Sequence, residues 1–452
     1  MFSLSRRHPS PTRSRSRAAS ALGTGLVLIL LTGCGAGSKA GTSGTEAVAC
    51  PIDQPTEAAT VNILAYNSAA TDPFTDTLVA SCKSETLTLN HPPTDLTGQK
   101  QRATQSLSAS DSSYDLIEQF GTVYSLYADR GWTVPLDAYM DDYSKKFNLG
   151  GIDKSLLAAH SYDGQQYGLP TYWSVNQLVY RKDIFDQLNL TPPTTFDEMR
   201  EVAKTIQDSG LAEHPLAIPM APTNDIQGLF GQTIRSLGGD YFVKDEPVPA
   251  LNTPEGVEAI DSLKSLLPFM SPQVLSFSSP EVTTQLATGQ AVMGLLVTGR
   301  LGPLVDKTKT SYADDFAFAT PPSVKAGGKP LSFLSVDGFA VAKNSKVDPK
   351  LLFQLAAVAT GEEASKSALP DALPARLDLI DPQTVPFAAG ALEVLSSAKP
   401  LPLTQVPYMA DVYSVLGAPI GDAVSGKMPT QQALDQAQIK AEEAIANAGY
   451  AK

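Results

Sequence analysis

This sequence predicts an α/β protein of more than one lobe, and three observations carry that reading. Strand-like and helix-like stretches alternate along the chain, the pattern of sheets flanked by helices. The 419 residues that follow a 33-residue leader are enough for two or three lobes, each burying its own core. Residues 167–195 (YGLPTYWSVNQLVYRKDIFDQLNLTPPTT) give, in close succession, an extended entry before Pro170, an apolar strand over 175–180, a short helix over 183–188, a Pro192-Pro193 stop and a further helix start.

The chain opens on a leader. Residues 1–33 carry Arg6, Arg7, Arg13, Arg15 and Arg17, no acid, and an apolar run over 18–31 too short and too interrupted for a membrane span. The run ends in Leu31-Thr32-Gly33-Cys34, which resembles the lipobox of bacterial lipoproteins. That resemblance implies cleavage before Cys34 and acylation of its thiol, with export by either the general or the twin-arginine route. Residues 34–59 are rich in Gly, Ser, Thr and Ala and read as a flexible tether between a lipid anchor and the folded body.

Charge narrows the partners. Of 34 basic residues five lie in the leader, which leaves 29 against 47 acidic ones, about −18. An acidic body lacks the basic footprint that nucleic acid requires. The four histidines are dispersed, with no paired spacing for a metal, and no cofactor motif is present. Beyond Cys34, Cys50 and Cys82 remain. In an exported chain they form a candidate disulfide, with two free thiols as the alternative.

In chain order, residues 60–66 (TVNILAY) alternate as a first strand and 72–80 form a first helix, with Pro73 at its start. Ligands of open α/β sheets sit outside the carboxyl ends of strands, so Tyr66, Asn67 and Asp72 become site candidates. Residues 86–90 read as a second strand and 100–108 as a weak helix. Residues 114–117 read as a third strand and 124–130 as a helix before Gly131-Trp132-Thr133-Val134-Pro135-Leu136-Asp137. Phe196, Met199, Val202, Ala203 and Ile206 form the apolar stripe of a core-facing helix.

The stretch 167–195 resembles a crossover of the extracellular solute-binding proteins of sugar ABC importers, the maltodextrin-binding type. The matching residues are Tyr167, Gly168, Pro170, Tyr180, Lys182, Asp183, Phe185, Pro192, Pro193 and Thr195, with Arg181 where Asn is commoner. Three further segments are similar to family landmarks: 114–137, the Gly289-Gln290-Ala291-Val292-Met293 unit, and Ser335-Val336-Asp337-Gly338-Phe339. A C-terminal helix over 425–446 agrees. The resemblance implies the two-lobe periplasmic-binding-protein fold of type II, with a ligand cleft between lobes. Its first lobe would use 60–168 and 331–385, and its second 169–330 and 386–452.

The same resemblance implies a role and a site. The expected protein is a monomeric, lipid-anchored receptor that closes on a carbohydrate or polyol and presents it to the permease subunits of an importer. Gln119 and Phe120 fall where the family brings a residue to the ligand, and Asn224 and Asp225 fall in a contact loop. Arg300 stands near the place of a missing tryptophan, and Asp337 replaces a glycine at a crossover. Tyr172, Trp173 and Tyr408 are candidate ring faces, while Pro170, Thr171 and Tyr172 are candidate hinges. A receptor for a glycerophosphodiester or another non-sugar solute is the alternative, and a secreted carbohydrate-active enzyme a further one. No hydrolase elbow, zinc-protease helix or phosphate loop supports the enzyme.

Overall fold

The computed structural model describes residues 50–450, apart from 122, 224, 245, 370, 399–400 and 403–405. The leader, Cys34 and Asn224 therefore lie outside the described residues. Strand β1 (Ala59–Leu64) pairs in parallel with β2 (Leu87–Asn90) and β3 (Leu116–Gln119). Helices Asp72–Cys82 and Leu96–Leu107 supply the crossovers that parallel neighbours need. The second helix begins at 96 rather than near 100, because Asp95 caps it, its carboxylate accepting from Gly98 N at 2.7 Å.

A small hairpin, β4 (Ser161–Tyr162) and β5 (Gln165–Gln166), precedes β6 (Leu169–Arg181), a strand of 13 residues. The extended entry and the separate strand expected from the sequence are thus one element. Its first half pairs antiparallel with β10 (Phe333–Val341), and its second half with β8 (Met293–Val297) and β9 (Phe316–Ala319). With β7 (Leu216–Ala217) beside β8, the order is β2-β1-β3-β10-β6-β8-β7. β6 is the element shared by both halves of the sheet.

The β6–β10 register shifts where Asp337 faces Tyr172 and Gly338 faces Pro170, which leaves Thr171 as the extra residue of a bulge. The bulge accommodates Pro170, whose missing N–H would break a regular ladder. Thr171 Oγ1 donates to Asp337 O at 3.0 Å and satisfies the displaced carbonyl. Gly338 is required there, since a Cβ would lie 2.3 Å from Leu169 O.

Two large buried clusters flank this frame. One joins Val61, Ile63, Leu169, Trp173, Phe339 and Phe353 and continues to Leu286 and Leu296. The other joins Phe185, Phe196, Met199, Ile206, Phe230 and Ile260 to Leu416, Leu434 and Ile445. Helix Ala388–Glu393 packs on β6 and β9, where Gln177 Nε2 donates to Phe387 O at 2.9 Å. Helices Met409–Val424 and Thr430–Asn447 pack on each other and on Pro254–Lys264. Among the described residues no helix is long and apolar enough to cross a membrane.

The stretch read as tether up to residue 59 is held from Cys50 onward. Cys50 is disulfide-bonded to Cys82, Ile52 is buried, and Asp53 N donates to Gln354 Oε1 at 2.9 Å. The Asp53 carboxylate meets Lys146 at 2.7 Å and Lys350 at 3.5 Å. Polar composition alone does not reveal that a carboxylate finds two ammonium groups 93 and 297 residues on.

Candidate ligand-binding cleft

A cavity of about 440 Å³ opens at the centre of the β6 frame. Its floor comes from the end of one strand and the middle of two others. Tyr66 follows β1, Tyr172, Ser174 and Asn176 lie on alternate positions of β6, and Ser335 and Asp337 lie on β10. Residues two apart share a face of a strand, so the β6 trio points into the cavity together. One wall holds Phe120, Gly121 and Lys100. The other holds Asp225, Gln232, Tyr413, Gly299 and Arg300.

Hydroxyls and carboxyls on the floor are linked. Tyr172 Oη donates to Asp337 Oδ2 at 2.6 Å, and Ser335 Oγ donates to Asp337 Oδ1 at 3.2 Å. Tyr66 Oη lies 2.7 Å from Tyr172 Oη. A phenol has one hydrogen and that of Tyr172 is committed to Asp337, so Tyr66 is the donor. Behind this floor sits Glu118 on β3, 1% exposed, accepting from Tyr66 N at 3.0 Å and from Thr71 Oγ1 at 3.2 Å.

Burial governs the electrostatics. It pushes Asp337 up to about 6, against the hydrogen bonds from Tyr172 and Ser335 and the charge of Arg300. It pushes Asp225 up to about 6 as well. Glu118 rises well above the carboxylate range through burial first and the neighbouring Asp337 second. Lys100 is lowered by burial, opposed by Asp225 and Asp337, and its ammonium lies 5.2 Å from the Phe120 ring centre. Tyr66 and Phe120 meet edge to face at 6.5 Å, and Tyr172 stacks on Phe74 at 5.9 Å.

Of the residues singled out from the sequence, the cavity brings together Tyr66, Phe120, Tyr172, Asp225, Arg300 and Asp337. Five others lie elsewhere, Asp72 among them at the end of the loop that Asn67 closes. Trp173 is fully buried on the opposite face of β6, with Nε1 donating to Pro374 O at 3.1 Å; strand alternation forbids it from sharing the side of Tyr172. Gln119, the last residue of β3, turns inward to His160 Nδ1 at 3.0 Å. Asn67 closes a loop, donating to Asp72 Oδ1 at 3.0 Å and accepting from Thr94 N at 2.9 Å. Tyr408 packs edge-on against Phe242 at 5.2 Å.

Sequence reading missed Lys100, Ser174, Asn176, Gln232, Ser335 and Tyr413 in the wall, and Glu118 behind it. Alternation from Tyr172 was the signal for Ser174 and Asn176. For Tyr413 the signal was weaker, since it sits further along the helix that Tyr408 precedes. Glu118 carried none: a lone acid in an apolar strand shows its neighbours only in three dimensions. Among the described residues no cluster has the composition of a metal site.

Known proteins agree with this architecture. The mannitol-binding protein of Pseudomonas aeruginosa is 23% identical over 377 residues, covering 78% of this chain and 85% of that protein. A solute-binding protein of Agrobacterium radiobacter in complex with ribitol superposes with a TM-score of 0.76 at 21% identity, covering 86% of this chain and 99% of that one. A maltose-bound protein of T. maritima superposes at 0.75 with 17% identity, covering 85% and 99%. The fold is the two-lobe α/β architecture of these proteins, with the cavity between the lobes. Residues 96–366 match the family described as bacterial extracellular solute-binding protein, and the chain belongs to that family.

Proposed function

We propose that this protein is a lipid-anchored extracytoplasmic receptor that closes on a polyol or small carbohydrate and delivers it to the membrane subunits of an ABC importer. The observation that carries this reading is the cavity wall itself. At about 440 Å³ it lies in the range of small-molecule sites, and it places carboxyls, hydroxyls, amides and a guanidinium among tyrosine and phenylalanine rings. Hydroxyl-rich ligands need that mixture, since each buried hydroxyl must find a partner. The mannitol and ribitol ligands of similar proteins support the same class.

Size favours the small end. The chain has two tryptophans, Trp132 and Trp173, and neither lines the cavity, so no broad indole platform is offered to a long oligosaccharide. Membership of a binding-protein family supports a role without catalysis, and Cys34 would hold the body at the membrane. A thermal-shift and calorimetry panel of mannitol, ribitol, glucose, maltose and amino acids tests the proposal. A polyol or monosaccharide should raise the melting temperature, because it binds only the folded state. A shift with an amino acid and with no polyol or sugar would overturn it.

A second reading, a glycerophosphodiester receptor, rests on Arg300. Its guanidinium lines the cavity and makes no hydrogen bond among the described residues. Asp225 and Asp337 face the same space and oppose an anion. Including glycerophosphocholine in the panel separates the two.

A further inference from the structure

Two carboxyl groups lie at the cleft floor and only one reaches the cavity. Asp337 lines it; Glu118 does not. Between them stand two hydroxyls. Glu118 Oε1 is 3.2 Å from Thr71 Oγ1, Thr71 Oγ1 is 3.4 Å from Tyr172 Oη, and Tyr172 Oη is 2.6 Å from Asp337 Oδ2. Every step is within hydrogen-bond reach, so the chain of oxygens is continuous from one acid to the other. All four residues are at most 6% exposed, and Glu118 and Thr71 lie behind the cavity wall.

We propose that Glu118, Thr71, Tyr172 and Asp337 form a one-proton relay under the cleft, in which Glu118 holds the proton and leaves Asp337 ionised to accept a ligand hydroxyl. Two carboxylates so placed in a low-dielectric floor cannot both carry charge. The surroundings decide which gives way. Asp337 receives hydrogen bonds from Tyr172 and Ser335 and feels the positive charge of Arg300. Glu118 receives Tyr66 N, and Thr71 Oγ1 donates to it only when it is ionised; protonated, it donates to Thr71 Oγ1, whose hydrogen then turns to Tyr172 Oη, and it faces the negative Asp72 and Asp337. Lys100 adds a second positive neighbour to Asp337. His160, whose Nε2 meets Val336 O at 3.0 Å, is held down to about 4 by burial and stays neutral.

The transfer is balanced. The proton on Glu118 Oε1 passes to Thr71 Oγ1, the Thr71 proton passes to Tyr172 Oη, and the Tyr172 proton passes to Asp337 Oδ2. Three O–H bonds break, three form, and the negative charge moves from Asp337 to Glu118. A ligand hydroxyl donating to Asp337 favours the first state and holds the proton on Glu118. Glu118 touches no ligand and is a positioning residue.

Two measurements test the relay. The first needs no ligand: infrared spectra of the wild type and of Glu118→Gln at about pH 8, well above the ordinary carboxylate range. A protonated-carboxyl band present in the wild type and absent from the variant is expected. No difference in the protonated-carboxyl region, with carboxylate bands lost instead, would overturn the proposal, since Glu118 would then be ionised. The second rests on the polyol reading: mannitol affinity from about pH 8 to about pH 5. Glu118→Gln should bind within about twofold of the wild type at the upper end and keep the wild-type acid midpoint, because the amide is neutral like the protonated Glu118 it replaces. A midpoint lower by about one unit would overturn the relay, since it would show that a negative charge on Glu118 had been holding the Asp337 value up. Should Glu118→Gln fail to fold, Thr71→Val breaks the chain while keeping both acids; the protonated-carboxyl band should persist but shift, because Glu118 loses its hydroxyl partner, and an unmoved band would overturn the relay. A wild type that ignores mannitol counts against the polyol reading, and the infrared comparison then decides the relay alone.

Discussion

Neighbouring residues on β6 have opposite work. Tyr172 faces the cleft and Trp173 the core, so their substitution should separate binding from stability. Trp173→Ala leaves a large void in a fully buried site and should cost about 3–5 kcal/mol, seen as a lower denaturation midpoint. Ligand affinity of the folded fraction should stay within about twofold. Tyr172→Phe keeps the ring on Phe74 but removes the hydroxyl between Tyr66 and Asp337, and should weaken binding about tenfold with little loss of stability. The two acids add a pH signature. Asp225 and Asp337 have folded values of about 6 against an ordinary 3.8, so between those values the folded state holds more protons than the unfolded chain. Their contribution to ligand-free stability therefore rises as pH falls through about 6. Affinity should move the other way, since protonation removes the charged acceptors. Melting and titration of one preparation from about pH 8 to about pH 5 check both signs.

At the scale of elements, the clearest addition to the sequence reading is the start of the body. Cys50–Cys82 closes a sequence separation of 32 residues and ties the entering chain to the helix Asp72–Cys82. Replacing both cysteines by serine should lower stability by about 3–4 kcal/mol in a denaturant titration and leave ligand affinity unchanged, because the bridge is remote from the cavity wall. Much of the element pattern was legible: β1, β3, the helix Phe196–Asp208 and the Thr253-capped helix all carry periodicity or caps that local rules read directly. What escaped was non-local. β6 reads as two pieces because Pro170 and Thr171 look like a break, and only the pairing with β10 turns that break into a bulge. The site divided in the same way. Residues just past strand ends, such as Tyr66 and Phe120, could be placed from order alone, and Asp337 from its place in a family landmark. Trp173 was misplaced for want of a register, and Glu118 gave no local sign because its partners lie 47 and 52 positions away.

On the scale of the whole molecule, the two sides of the cleft are also joined away from it. The end of helix Thr430–Asn447 reaches the helix Tyr124–Asp129: Tyr450 Oη donates to Asp129, and Arg130 Nη2 donates to Ala448 O at 2.6 Å. Tyr162 Oη donates to the other oxygen of Asp129 at 2.7 Å, and Arg130 lies over the Tyr450 ring at 5.5 Å. Tyr408, which does not line the cavity, packs its ring at a tilt 5.4 Å from that of Tyr450 and so supports this clasp. The clasp is made in the same arrangement that sets Lys100 and Asp225 across one cavity. Its free energy therefore belongs to that arrangement, and a ligand that needs the arrangement benefits from it. Tyr450→Phe combined with Arg130→Ala changes no cavity residue, yet should weaken ligand binding by roughly three- to tenfold, about 1 kcal/mol of lost conformational bias. Scattering of the ligand-free variant should show a larger radius of gyration than the wild type, and saturating ligand should bring the two together. Tighter binding in the variant would place the clasp in the open arrangement instead.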